Sequence, residues 1–177
     1  MIQYLNGDTT KPVGNGIKII AHVCNDIGKW DRGFVLALSK KWLEPEVSYR
    51  QWYTLRNESD AKKFELGQVQ LVFVDKGLYV ANMVAQHGIT TVNGVPPIRY
   101  DALTECLTGV AQLAAAGSSS VHMPRIGCGL ARGNCDEVET IIEQTLVNWD
   151  EVEMIIEQTL VNMSVPVYVY DYEPKTY

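Results

Sequence analysis

Two glycine-bearing loops hold the residues best suited to chemistry, running from Cys24 to Gly33 and from Ile126 to Gly133. The first reads Cys24-Asn25-Asp26-Ile27-Gly28-Lys29-Trp30-Asp31-Arg32-Gly33 and follows the apolar run Ile17 to Val23. It feeds a helix-like segment, Phe34 to Leu38. The second reads Ile126-Gly127-Cys128-Gly129-Leu130-Ala131-Arg132-Gly133 and follows the short strand-like Val121-His122-Met123. Glycine lets an anion approach the backbone closely, and a helix start adds unpaired N–H donors with partial positive charge. Two such loops in one domain suit a diphosphate.

These loops need a rigid scaffold, and the chain supplies one. Its 177 residues, 46% hydrophobic and 20% charged, are expected to form a single domain that buries most of its apolar surface. The formal net charge of -6 and the lack of any Lys/Arg run argue against general nucleic-acid binding. An anionic ligand must therefore be held by local donors. No apolar stretch reaches transmembrane length and Met1 to Tyr4 has no signal-peptide pattern, so no membrane partner and a cytoplasmic location are expected. The four cysteines show no C-x-x-C spacing. His22 and Cys24 share one strand face, with His122 a conceivable neighbour, but that pattern gives a metal little support, and none is expected.

Periodicity places strands near Ile2–Leu5, Lys18–Val23, Gln68–Val74, Leu78–Ala85, Ser120–Pro124 and Val165–Tyr170. Helices are expected over Phe34–Lys41, Pro45–Arg56 and Ile98–Ala116, and Asp75-Lys76-Gly77 reads as a hairpin turn. The sum is an α/β chain: a central mixed sheet of about six strands between two helical layers, with ligands beyond the carboxyl ends of the strands.

Asn134–Val147 is repeated at Asn148–Val161 with 12 of 14 positions identical, the exceptions being Cys135/Trp149 and Thr140/Met154. Near identity points to a recent or deliberate duplication. Val138, Ile141, Ile142 and Leu146 in the first copy correspond to Val152, Ile155, Ile156 and Leu160 in the second. One helix from Asp136 to Asn162 would run about 40 Å, long for a domain of this size. Either it projects, bends or promotes self-association, or one copy fills the core slot and the other is displaced.

Gly7-Asp8-Thr9, Ala21-His22-Val23-Cys24-Asn25, Gly33-Phe34 and Met123-Pro124-Arg125-Ile126-Gly127-Cys128-Gly129-Leu130 together resemble a macrodomain. They are most similar to the branch that holds terminal ADP-ribose protein glycohydrolase and the yeast-type ADP-ribose-1″-phosphate phosphatase. The resemblance implies a three-layer α/β/α fold and ADP-ribose or a derivative as ligand. It implies that Asp8 accepts from the adenine amino group and that Tyr170 lies near the adenine. The first loop, with Asn25, Gly28 and Gly33, would surround the distal ribose. The N–H groups of Ile126, Gly127, Cys128, Gly129 and Leu130 would cradle the diphosphate. The competing readings are that Asp8 closes a turn, Asn25 caps a helix and Tyr170 packs in the core.

The glycohydrolase branch uses a lysine after the fourth strand and an aspartate after G-C-G-L, where this chain has Gln86-His87 and Ala131. Glutamine forms no amine adduct and alanine is no base, so that mechanism does not carry over. The phosphatase branch has a histidine where His22 stands, within an H-x-C-N string that this chain shares. His22 and Asp26 are therefore the candidate acid/base pair for hydrolysing a group at the distal ribose, with His87 a third candidate. A core histidine is the competing reading of His22, and a turn residue that of His87. Asp31 stands where the family has glycine, and its charge opposes a diphosphate. The alternatives are a non-catalytic ADP-ribose module, and an interface formed by the duplicated helix. A dinucleotide oxidoreductase fails on context: a helical repeat follows Gly127-x-Gly129 where a Rossmann unit needs another strand and an acidic residue.

Overall fold

The computed structural model describes residues 2–147 and 165–171. Six strands, β1 (Ile2–Asn6), β2 (Lys18–Asn25), β3 (Val69–Asp75), β4 (Leu78–Gln86), β5 (Ser120–Pro124) and β6 (Val167–Asp171), form one sheet in the order β1-β6-β5-β2-β4-β3. All neighbours are parallel except the β3–β4 hairpin, which turns at Asp75-Lys76-Gly77 with Gly77 at φ 69°. The mixed sheet of six strands is as expected, with boundaries shifted by a residue or two.

Helices α1 (Phe34–Ser39) and α2 (Glu44–Thr54) cover one sheet face, and α3 (Tyr100–Ala116) and α4 (Cys135–Ile142) the other. The alternation of strand side chains dictates this division. On β2, Ile19 and Ala21 join the core under α3 and α4, while Ile20 and Cys24 join Trp30, Leu38 and Tyr49 under α1 and α2. With both faces covered, the central strands are buried almost throughout, as parallel strands must be.

The first copy of the repeat forms α4 and a wider π-helical turn over Glu143–Val147. Its stripe Val138, Ile141, Ile142 and Leu146 is buried, packed in the α3 core. Asn134 caps the helix, its side chain accepting from the Asp136 N–H at 2.9 Å, and Asp136 and Glu137 complement the positive end. The first copy thus fills the core slot. The second copy at 148–161 lies outside the described residues, as do the expectations of an overlong helix and of self-association that rest on it.

Candidate functional site

Strand order brings the two glycine loops together. β2 and β5 are parallel neighbours, so the loops at their carboxyl ends open at the same sheet edge, 100 residues apart in sequence. They touch: a Cβ added to Gly33, at φ 79°, would lie 3.1 Å from Leu130 Cδ1. Between them lies a crevice of about 810 Å³. Its wall is completed by Gln86 at the end of β4 and by Ile89, Thr90 and Thr91 beyond it.

The first loop is held by Asn25. Its Oδ1 accepts from the N–H groups of Ile27 at 3.1 Å and Lys29 at 3.0 Å, and its Nδ2 donates to the Lys29 carbonyl at 2.6 Å. The Tyr49 hydroxyl donates to the Asn25 backbone carbonyl at 2.5 Å. Asn25 therefore lines the crevice but spends its polar atoms on loop shape. From outside, Arg50 donates to the Trp30 carbonyl at 3.3 Å, while buried Trp30 donates to Ser39 Oγ at 2.8 Å. Gly28 has φ 72°, and a Cβ there would lie 2.4 Å from the Tyr53 ring. Glycine is required at that turn.

The second loop pivots on Gly127, also at φ 72°, whose carbonyl accepts from the Gly133 N–H at 2.7 Å. Among the described residues, the N–H groups of Gly127, Cys128 and Leu130 have no hydrogen-bond partner. Ile126 donates back to the Pro124 carbonyl at 2.6 Å. A Cβ added to Gly129 would meet nothing within 4 Å. Lys29, Arg32, Arg125 and Arg132 line the crevice against one carboxylate, Asp31. A chain of net charge -6 thus concentrates positive charge at this site. Arg125 is held by a bidentate pair with Asp171, at 2.7 and 3.0 Å, and lies over the Tyr4 ring.

His22 reaches the crevice from its buried floor, with 2% of the residue exposed. Its Nε2 lies 2.6 Å from Asn82 Oδ1, and Asn82 Nδ2 donates to the Pro45 carbonyl and to Gln70 Oε1, each at 3.1 Å. Asn82 is thereby fixed with its oxygen toward the histidine, so His22 Nε2 carries hydrogen and Nδ1 is bare. Burial outweighs this bond and lowers the imidazole to about 4, leaving it neutral near pH 7. Burial likewise pushes the neighbouring Cys24 thiol up.

Asp26 sits just beyond Asn25, outside the crevice lining. Its Oδ2 lies 2.6 Å from His87 Nδ1 and its Oδ1 accepts the Gly88 N–H at 2.8 Å. Asp8 follows β1 at the same sheet edge, and its Oδ1 accepts from the Thr10 N–H at 2.9 Å and the Thr10 hydroxyl at 2.7 Å. Partial burial raises the Asp8 carboxyl, but the Thr10 bonds, with Lys11 and Lys41, bring it net below the usual range. Tyr170 is 3% exposed, and its hydroxyl accepts from the Val13 N–H at 3.1 Å and meets His122 Nδ1 at 2.9 Å.

Of the expected site residues, His22, Asn25, Gly33, Ile126, Gly127, Gly129 and Leu130 line one crevice. Asp8, Asp26, Gly28, Cys128 and Tyr170 do not. Among the described residues, no group of three or more His, Cys, Asp or Glu side chains could hold a metal ion, and no helix is long and apolar enough to cross a membrane. The basic side chains and the 89–91 wall went unread in the sequence. Asn93-Gly94 did carry a signal: with φ of 51° and 78°, they close a small hairpin bridged by Val92 and Val95.

No protein-family model matches the chain. A Bacteroides thetaiotaomicron protein described as of unknown function is 50% identical, with a TM-score of 0.83 over 97% of this chain and 98% of that one. A macrodomain protein from Streptomyces coelicolor is 42% identical, with a TM-score of 0.78 over 98% of this chain and all of that one. The chromodomain-helicase-DNA-binding protein 1-like of Danio rerio is 34% identical over 154 residues, 82% of this chain. The chain spans only 14% of that relative's length.

Proposed function

We infer that this chain, which belongs to the macrodomain family, binds ADP-ribose or a close derivative in the crevice between its two glycine loops. The carrying observation is a crevice of about 810 Å³ between the loops, where second-loop N–H groups without a partner among the described residues stand together with Lys29 and Arg32 of the first loop and Arg132 of the second. Strand order supports a direction for the ligand. Asp8 follows β1, the second loop follows β5 and the first follows β2, three strand spacings or about 14 Å from end to end. Adenine at Asp8, diphosphate at 126–130 and distal ribose at the first loop follow that order.

Tyr170 supports the adenine end from within the core, because its hydroxyl is already engaged. Asn25, Gly28 and Gly33 shape the distal-ribose loop. Calorimetric titration with ADP-ribose tests this reading. Binding in the micromolar range is expected, weakened at least tenfold by Asp8→Ala; no heat at millimolar ligand would sink it.

The reading extends to hydrolysis of a group on the distal ribose. Gln86 and Ala131 both line the crevice where the glycohydrolase branch has lysine and aspartate, so the H-x-C-N phosphatase-like branch is the better fit. His22 is neutral with Nε2 committed to Asn82, which suits it to hold the floor and accept a hydrogen bond rather than to donate a proton. Asp26 supports chemistry through its contact with His87. Asp26→Ala is expected to abolish product release and retain ADP-ribose binding; equal loss of both would favour a non-catalytic binding module.

A further inference from the structure

We propose that His87, oriented by Asp26, is the general acid–base for hydrolysis of an ester on the distal ribose. This rests on the ADP-ribose reading. Adjacent parallel strands create the pair: Asn25 of β2 is in register with Gln86 of β4, so the residues that follow, Asp26 and His87, emerge side by side. The Asp26 N–H donates to the Gln86 carbonyl at 2.9 Å and the His87 N–H to the Pro97 carbonyl at 2.8 Å, fixing both backbones. With Asp26 Oδ1 tied to the Gly88 N–H, Oδ2 is aimed at His87 Nδ1 at 2.6 Å.

A carboxylate only accepts, so Nδ1 carries the hydrogen and Nε2 presents its lone pair. Asp26 side-chain exposure is 17% and that of His87 is 61%: the orienting group is sheltered and the imidazole is accessible. His87 lies in the chain between Gln86 and Ile89, which both line the crevice. β4 lies beyond β2 in the strand order, past the first loop. That is the distal-ribose end.

Nε2 takes a proton from water as the water oxygen bonds to the ester carbonyl carbon. Asp26 stabilises the imidazolium so formed. Lys29 and Arg32 of the first loop line the same crevice and would supply the positive charge that a developing oxyanion needs. The proton then passes from Nε2 to the ribose oxygen as the carbon–oxygen bond breaks. The products are a carboxylic acid and a free ribose hydroxyl, with no redox partner required.

The test uses the full chain and ADP-ribose acetylated on a distal-ribose hydroxyl, following acetate release, with ADP-ribose binding measured separately. Wild type is expected to release acetate. His87→Ala should lower kcat roughly 100-fold or more, with ADP-ribose affinity within about twofold and an unchanged melting temperature. His87→Gln keeps a donor for Asp26 but no proton-accepting nitrogen, and should be equally slow. Rescue by glutamine would assign His87 a structural role and overturn the proposal. Wild type that binds ADP-ribose but releases no acetate would overturn it while leaving the ligand reading intact. Failure to bind ADP-ribose would overturn both.

Discussion

Neutral buried histidines make the fold sensitive to acid. His22 falls from 6.5 to about 4 on burial, and His122, held between Ser120 Oγ and the Tyr170 hydroxyl, is also lowered to about 4 by burial and by Lys18. A histidine with a depressed folded pKa takes up its proton more readily in the unfolded chain. Its stabilising contribution is therefore complete above about 6.5 and is lost as pH falls toward 4. For His22 the loss is on the order of 3 kcal/mol, with His122 adding in the same direction. Urea unfolding at pH 7 and 4.5 should show this fall, and a flat profile would contradict the burial of neutral imidazoles. Gly129 offers a second test. A Cβ there meets open space on a crevice-lining residue, so Gly129→Ala should leave the melting temperature unchanged and weaken ADP-ribose binding about tenfold. Little of this was legible in advance: His22 and Asn82 are 60 residues apart, and Asp26 and His87 are 61 apart.

Among the elements, α4 shows how local pattern and packing meet. The stripe at Val138, Ile141, Ile142 and Leu146 was legible from helical spacing, and all four side chains are buried against the core that includes α3. Ile142→Ala should destabilise the fold by about 2–4 kcal/mol in denaturant titration. Because the first copy occupies that slot, deletion of 148–161 should leave the stability of the fold and the binding of ADP-ribose unchanged. A deletion variant that fails to fold would show the second copy to be required. The π-helical turn at 143–147 was not readable, since a widened turn needs no residue type that an α-helix forbids.

For the whole molecule, the contrast between a chain of net charge -6 and a basic crevice has consequences for binding. Asp31 is the one carboxylate on that lining, and Asp31→Asn should tighten ADP-ribose about threefold at low ionic strength. The gain should shrink in 0.5 M salt, because exposed charges are screened. A salt-independent gain would point to loop rearrangement instead of charge. The sequence by itself determined the strands, helices and both glycine loops, because side-chain periodicity and glycine's backbone freedom act over a few residues and need no distant partner. It also carried the family resemblance, concentrated in the loop strings. Only the tertiary structure decided that β5 and β2 are neighbours, and hence that the loops share one crevice. The same holds for Asn82 fixing His22 and for Asp26 meeting His87, because strand order and register are chosen by the packing of the whole sheet between its two helical layers.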